Sequence, residues 1–122
     1  MSYPDYFPKG CPPRDAKNIE ITAYRICKNN VVTHDDFLSH YQLGLAPNFK
    51  DNIKYGVSLL SDKEKALNML RLPRFNNKYI AEGITKKGLG VIKNTPTKQI
   101  GNVHYTWWLK NDTRPENYFS VI

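Results

Sequence analysis

The segment from Tyr55 to Pro73, YGVSLLSDKEKALNMLRLP, constrains the fold more than any other part of the chain. Val57 and Leu59 alternate with Ser58 and Leu60, the period-2 pattern of a strand. Ser61, followed three residues later by Glu64, has the spacing of a capping box. In that arrangement a hydroxyl and a carboxylate satisfy the free backbone N–H groups of a first helical turn. Asp62 adds negative charge at the positive end of the helix dipole. Ala66, Leu67 and Leu70, with Met69 beside them, predict one apolar face, and Pro73 ends the run by pushing Leu72 off helical angles. The expectation is a buried strand that passes through a capped turn into an amphipathic helix.

Such a strand needs sheet partners, and the flanking sequence offers them. Ile19 to Cys27, IEITAYRIC, alternates Ile21, Ala23, Arg25 and Cys27 on one face with Glu20, Thr22, Tyr24 and Ile26 on the other. Lys78 to Thr85, KYIAEGIT, reads as a strand with Glu82 between Ile80 and Ile84 on its own face. Either that face is partly wet or Glu82 pairs with a cation such as Arg25. Lys86-Lys87-Gly88 turns the chain, and Gly90 to Asn94 is expected as the hairpin partner of the preceding strand. Val103 to Leu109, VHYTWWL, and Tyr118 to Ile122, YFSVI, complete the set. A second short helix is expected from Thr33 as its cap to about Tyr41, with Phe37, Leu38 and Tyr41 as its apolar face and Gly44 as its stop. Leu45 to Asn52 reads as a loop, and Thr95 to Asn102 as a polar one.

This order predicts an α+β domain over residues 19–122, with mixed or antiparallel sheets and two short helices. Residues 1–18 are expected to form an extended arm. Pro4, Pro8, Pro12 and Pro13 exclude regular structure there, and Tyr3, Tyr6 and Phe7 would pin it to the body. At 122 residues the chain suits one domain with a single core. Cys11 and Cys27 are too few for a disulfide framework and are expected as buried or free thiols in a reducing cytoplasm, although one bridge is compatible with the count. The N-terminus lacks the basic-then-apolar pattern of a signal peptide, and no apolar run approaches the ~18 residues of a membrane span.

The formal charge of +7 suggests an acidic partner: nucleic acid, a phosphate-bearing small molecule or an acidic protein. A solvated basic surface that aids solubility explains it equally well. Phosphate-loop, dinucleotide-fold, zinc-protease and nucleophile-elbow signatures are all absent. His34 and His40 point in different directions around a helix, so no metal site is expected. What remains is a set of polar residues on or beside strands: Arg25, Ser58, Ser61, Glu82 and His104. Arg25 stands in line with small apolar residues, where an unpaired guanidinium is costly. Either it bonds a carboxylate or carbonyls at a wet strand end, or it clamps an anion in a cleft, a task that suits the guanidinium fork.

The order of elements, with Arg25 in AYRIC and Ser58 in GVSLLSDKEKAL, resembles the ADP-ribosyltransferase-like fold over roughly residues 19–109. In that superfamily an early-strand arginine or histidine holds the NAD phosphates or ribose. A serine or tyrosine follows on a strand leading into a helix, and a late glutamate polarises the ribose. The resemblance implies an NAD- or ADP-ribose-binding protein in which Arg25 clamps phosphate and Ser58 contacts ribose. The late strand, HYTWWL, carries no acid. The polar role would fall to Glu82 or His104, or the chain is a non-catalytic relative, so enzymatic activity stays open.

A different reading takes Tyr105, Trp107 and Trp108 beside His104 as a stacking platform for single-stranded nucleic acid or a nucleotide. Adjacent residues on a strand face opposite sides, so Trp107, aligned with Val103 and Leu109, is expected in the core and Trp108 exposed or lining a cleft. The candidate nucleotide contacts are then Arg25, Ser58, Ser61, Tyr105 and Trp108. The alternative to a nucleotide-binding protein is a non-enzymatic basic module for nucleic acid or an acidic protein, in the setting of a bacterial or phage conflict system.

Overall fold

The computed structural model describes residues 2–45 and 52–122, so most of the expected loop over Leu45–Asn52 lies outside the described residues. The described residues form six strands and one α-helix: β1 (Thr22–Cys27), β2 (Val57–Leu60), α1 (Lys63–Met69), β3 (Tyr79–Ile84), β4 (Gly90–Asn94), β5 (His104–Leu109) and β6 (Phe119–Val121). All six strands share one sheet in the order β4-β5-β2-β1-β3-β6, and every neighbouring pair is antiparallel. The α+β class holds, and the sheet is antiparallel rather than mixed.

Both faces of the sheet are buried, which is why its strands carry apolar residues on both sides. One face gathers Ala23, Cys27, Val57, Leu59, Ala81, Ile92 and Trp107 under Phe37 and Phe119. The other packs Tyr24, Leu60 and Ile80 against Ala66 and Met69 of α1. Trp107 lies in the first core as expected, with its ring centroid 6.4 Å from that of Phe37 and 6.2 Å from that of Phe119. Trp108 does not line a cleft: it is fully buried on the opposite side, and its indole N–H donates to the Asn52 carbonyl at 2.9 Å. A sheet covered on both faces leaves no exposed side for either ring.

Three local expectations are corrected. First, the helix from Thr33 to Tyr41 reduces to a 3-10 turn over His34–Phe37, because Leu38 is already extended at φ −80° and ψ 139°. The Asp36 carbonyl, which a continuing helix would pair with an N–H four residues on, instead accepts from Arg25 Nε at 2.7 Å. Second, α1 starts at Lys63 with Asp62, not Ser61, at its N-cap. The Ser61 N–H donates to the Val103 carbonyl at 2.9 Å, so this residue still belongs to the β2–β5 ladder. Leu67 leaves the apolar face and is 42% exposed. Ala66, Met69 and Leu70 follow the i, i+3, i+4 rule, and Leu67 sits about 100° round the axis from Ala66.

Third, β3 and β4 are not hairpin partners. β3 lies between β1, which it matches from Thr22↔Ile84 to Cys27↔Tyr79, and β6. With both edges of β3 occupied, the chain leaves it at Thr85, whose hydroxyl accepts from the Ile21 N–H and donates to the Ile19 carbonyl. β4 pairs with β5 at the far edge instead. Cys11 and Cys27 are free thiols, and burial pushes the Cys27 thiol up to about 12.

Candidate functional site at the split between β1 and β2

β1 runs in full register with β3, but it meets β2 at one matched pair, Tyr24↔Leu60. Beyond that pair the two strands diverge, and the Arg25 side chain occupies the gap. Its Nη1 donates to the Ser58 carbonyl at 2.9 Å, and its Nε donates to the Asp36 carbonyl. The guanidinium thus satisfies a β2 carbonyl that β1 no longer reaches, as a buried backbone acceptor requires. Desolvation lowers the Arg25 pKa from its ordinary value, and the nearby Cys27 and Asp36 oppose that shift. Asp36 is itself buried, with its carboxylate accepting from the backbone N–H groups of Lys28 at 3.2 Å and Thr33 at 2.9 Å. Of the two readings the sequence leaves open for Arg25, bonding to carbonyls describes two of its N–H groups. A guanidinium has five donors.

The residue whose carbonyl Arg25 holds carries the second feature. The Ser58 hydroxyl lies 3.1 Å from His104 Nε2 on the neighbouring strand β5, and His104 Nδ1 lies 2.7 Å from the Thr95 carbonyl. A carbonyl only accepts, so Nδ1 carries the proton and Nε2 accepts from the Ser58 O–H. The Thr95 hydroxyl closes the network at 3.0 Å from His104 Nδ1 and 2.7 Å from Thr106 Oγ1. His104, Thr95 and Thr106 are buried and Ser58 is partly exposed, so the network opens to solvent at the serine.

This geometry fixes a charge state. Desolvation first, then the positive potentials of His40 and Arg25, lower the His104 pKa, against a raising contribution from the Thr95 carbonyl. His104 is neutral in the fold at pH 7. As pH falls below the unfolded-state value of ~6.5, the unfolded chain takes up a proton that the folded chain resists. Stability contributed by His104 is therefore complete above that pH and is lost as pH drops toward the lower folded value. Denaturation midpoints measured from pH 7.5 to 5 should fall, and the fall should be smaller in His104→Gln.

The structure links Arg25, Ser58 and His104 and leaves the other candidates apart. Glu82 shares a cross-strand row with Tyr24, Leu60 and His104, but three strand spacings of ~4.8 Å put it about 14 Å from the histidine. It lies beside Tyr24, whose pKa burial and this carboxylate both raise. Arg25 and Glu82 point to opposite faces, since Arg25 aligns with Ala81. Ser61 is exposed beyond the end of β2, Tyr105 packs toward the core of the other face, and Trp108 is enclosed. Asp36, Thr95 and Thr106 complete the network and escape sequence reading. The Thr33–Asp36 spacing signals the first, whereas Thr95 acquires its role from the β4–β5 register alone.

Among the described residues there is no cluster of three or more His, Cys, Asp or Glu that could hold a metal, and no helix long and apolar enough to cross a membrane. A cavity of about 410 Å³ lies beyond this network and is lined by neither Ser58 nor His104. No family model, curated protein or solved structure matches the chain.

Proposed function

We propose that the protein binds NAD or ADP-ribose at the split between β1 and β2, as a catalytically silent ADP-ribosyltransferase-like domain. One observation carries the reading: where the sheet opens, Arg25 of β1 reaches the Ser58 carbonyl of β2 from one face, while the Ser58 hydroxyl meets His104 of β5 on the other. Arg25 brings a positive charge held at the gap by two carbonyls, and the guanidinium fork suits a diphosphate. Ser58 commits its proton to His104 and so presents oxygen lone pairs, which suits a ribose hydroxyl. The reading stops at binding because no carboxylate stands beside this pair among the described residues. Asp36 is engaged by backbone N–H groups, and Glu82 lies three strands away. The nucleic-acid alternative is left with the +7 charge alone, since both tryptophans are buried.

A ligand that binds only the folded state at ~100 times its Kd stabilises it by about 2.7 kcal/mol. ADP-ribose and NAD are expected to raise the melting temperature accordingly. Ser58→Ala, at a partly exposed position, should weaken binding by about tenfold, or ~1.4 kcal/mol. Arg25→Lys is the companion variant, because Arg25→Ala removes structural hydrogen bonds along with the charge. Absence of any stabilisation by either ligand overturns the proposal.

A further inference from the structure

The N-terminal arm is tied down at both ends. The Asn111 N–H donates to the Ser2 carbonyl at 2.8 Å, and Asn52 Nδ2 donates to the Gly10 carbonyl at 3.1 Å. Between these ties, Tyr6 stacks on Tyr41 at 4.6 Å and Phe7 meets Tyr55 edge-on at 5.9 Å. The arm thereby becomes one wall of the cavity of about 410 Å³, a volume within the ~300–1,000 Å³ range of small-molecule sites. Tyr6, Phe7 and Tyr55 present rings on that wall. Lys110, Arg114 and His34 present nitrogen groups among the remaining lining residues.

Of these groups, His34 Nδ1 is already engaged by Glu116 at 3.2 Å, which leaves Lys110 and Arg114 for an anion. Among the described residues, Arg114 has one loose pair, to Glu116 at 3.7 Å, with its side chain 74% exposed, and such a surface pair is worth little. The turn that carries Lys110 to Arg114 is braced by the Thr113 hydroxyl on the Lys110 carbonyl at 3.0 Å, with Asp112 at φ +61°. This bracing fixes the backbone that carries Lys110 and Arg114, both of which line the cavity.

We propose that this cavity is a second site, for a nucleoside phosphate, with the base against the Tyr6, Phe7 and Tyr55 rings and the phosphate on Lys110 and Arg114. Aromatic faces accept any base by stacking, and paired cations accept the anion. The site is independent of Arg25, Ser58 and His104, none of which lines it.

The test is a titration of the full chain with AMP, followed by backbone amide NMR. The expected result is that Tyr6, Tyr55, Asn111 and Thr113 shift while Ser58 and His104 do not, and that the Lys110→Ala/Arg114→Ala double variant binds at least tenfold more weakly with an otherwise native spectrum. No shifts, shifts confined to Ser58 and His104, or unchanged affinity in the double variant would overturn it. Because the readout separates the two regions, failure here leaves ADP-ribose binding at the β1–β2 split to be judged by its own titration.

Discussion

Replacing Arg25 by methionine is expected to destabilise the fold by about 2–5 kcal/mol, since two partly buried carbonyls each lose a charged donor worth ~1–3 kcal/mol. Those carbonyls belong to Asp36 and Ser58, and the methionine fills the gap between β1 and β2 without reaching either as a donor. The buried Asp36 carboxylate also loses the cation beside it. Urea denaturation should show a lower midpoint with an unchanged slope, the sign of lost stability without a change in the surface exposed. Arg25→Lys restores charge but not the planar fork, and should fall between methionine and wild type. A methionine variant as stable as wild type would mean that the strands close over the gap and that the split is not built on this side chain.

Trp107→Ala should cost about 3–5 kcal/mol, the usual range for a buried aromatic, and should abolish folding if the native margin is small. Trp107 lies on β5, matched to Val57 of β2 and Ile92 of β4, and it is 1% exposed. Its ring, with those of Phe37 and Phe119, joins the His34–Phe37 turn and the terminal strand to the sheet. The loss should appear in thermal and chemical unfolding alike. Trp107→Phe, which keeps much of the volume, should recover part of it.

The contrast between these sites shows what the sequence made legible. Strand positions were readable because period-2 alternation survives even where both faces are buried: Ala23 and Cys27 enter one core and Tyr24 the other, as their alternation implies. α1 was readable from its apolar spacing, with an error of one residue at its cap because the Ser61 backbone is claimed by β5. The helix after Thr33 failed for a nonlocal reason, since Arg25, distant in sequence, takes the carbonyl needed to continue it. Trp108 departs from its expected exposure because the sheet is covered on its side too, and nothing within HYTWWL reveals what covers it. For the candidate site, Arg25, Ser58 and His104 stood out as polar residues in apolar strands. The adjacency of β1, β2 and β5, and the three strand spacings between Glu82 and His104, follow from the strand order β5-β2-β1-β3, which sequence spacing does not encode; Glu82 is kept from Arg25 by facing the other side of the sheet.

The proposed role of the split is tested most directly by titrating the protein with ADP-ribose and following the His104 imidazole nitrogens together with the Ser58 and Arg25 amides by NMR. Binding at the split predicts saturable shifts at all three residues, including a change at His104 Nε2 as the Ser58 hydroxyl adjusts to a ribose oxygen, and loss of those shifts in Ser58→Ala. Shifts confined to Tyr6, Tyr55, Asn111 and Thr113, or none at all, would contradict the account and leave Arg25, Ser58 and His104 as a purely structural network.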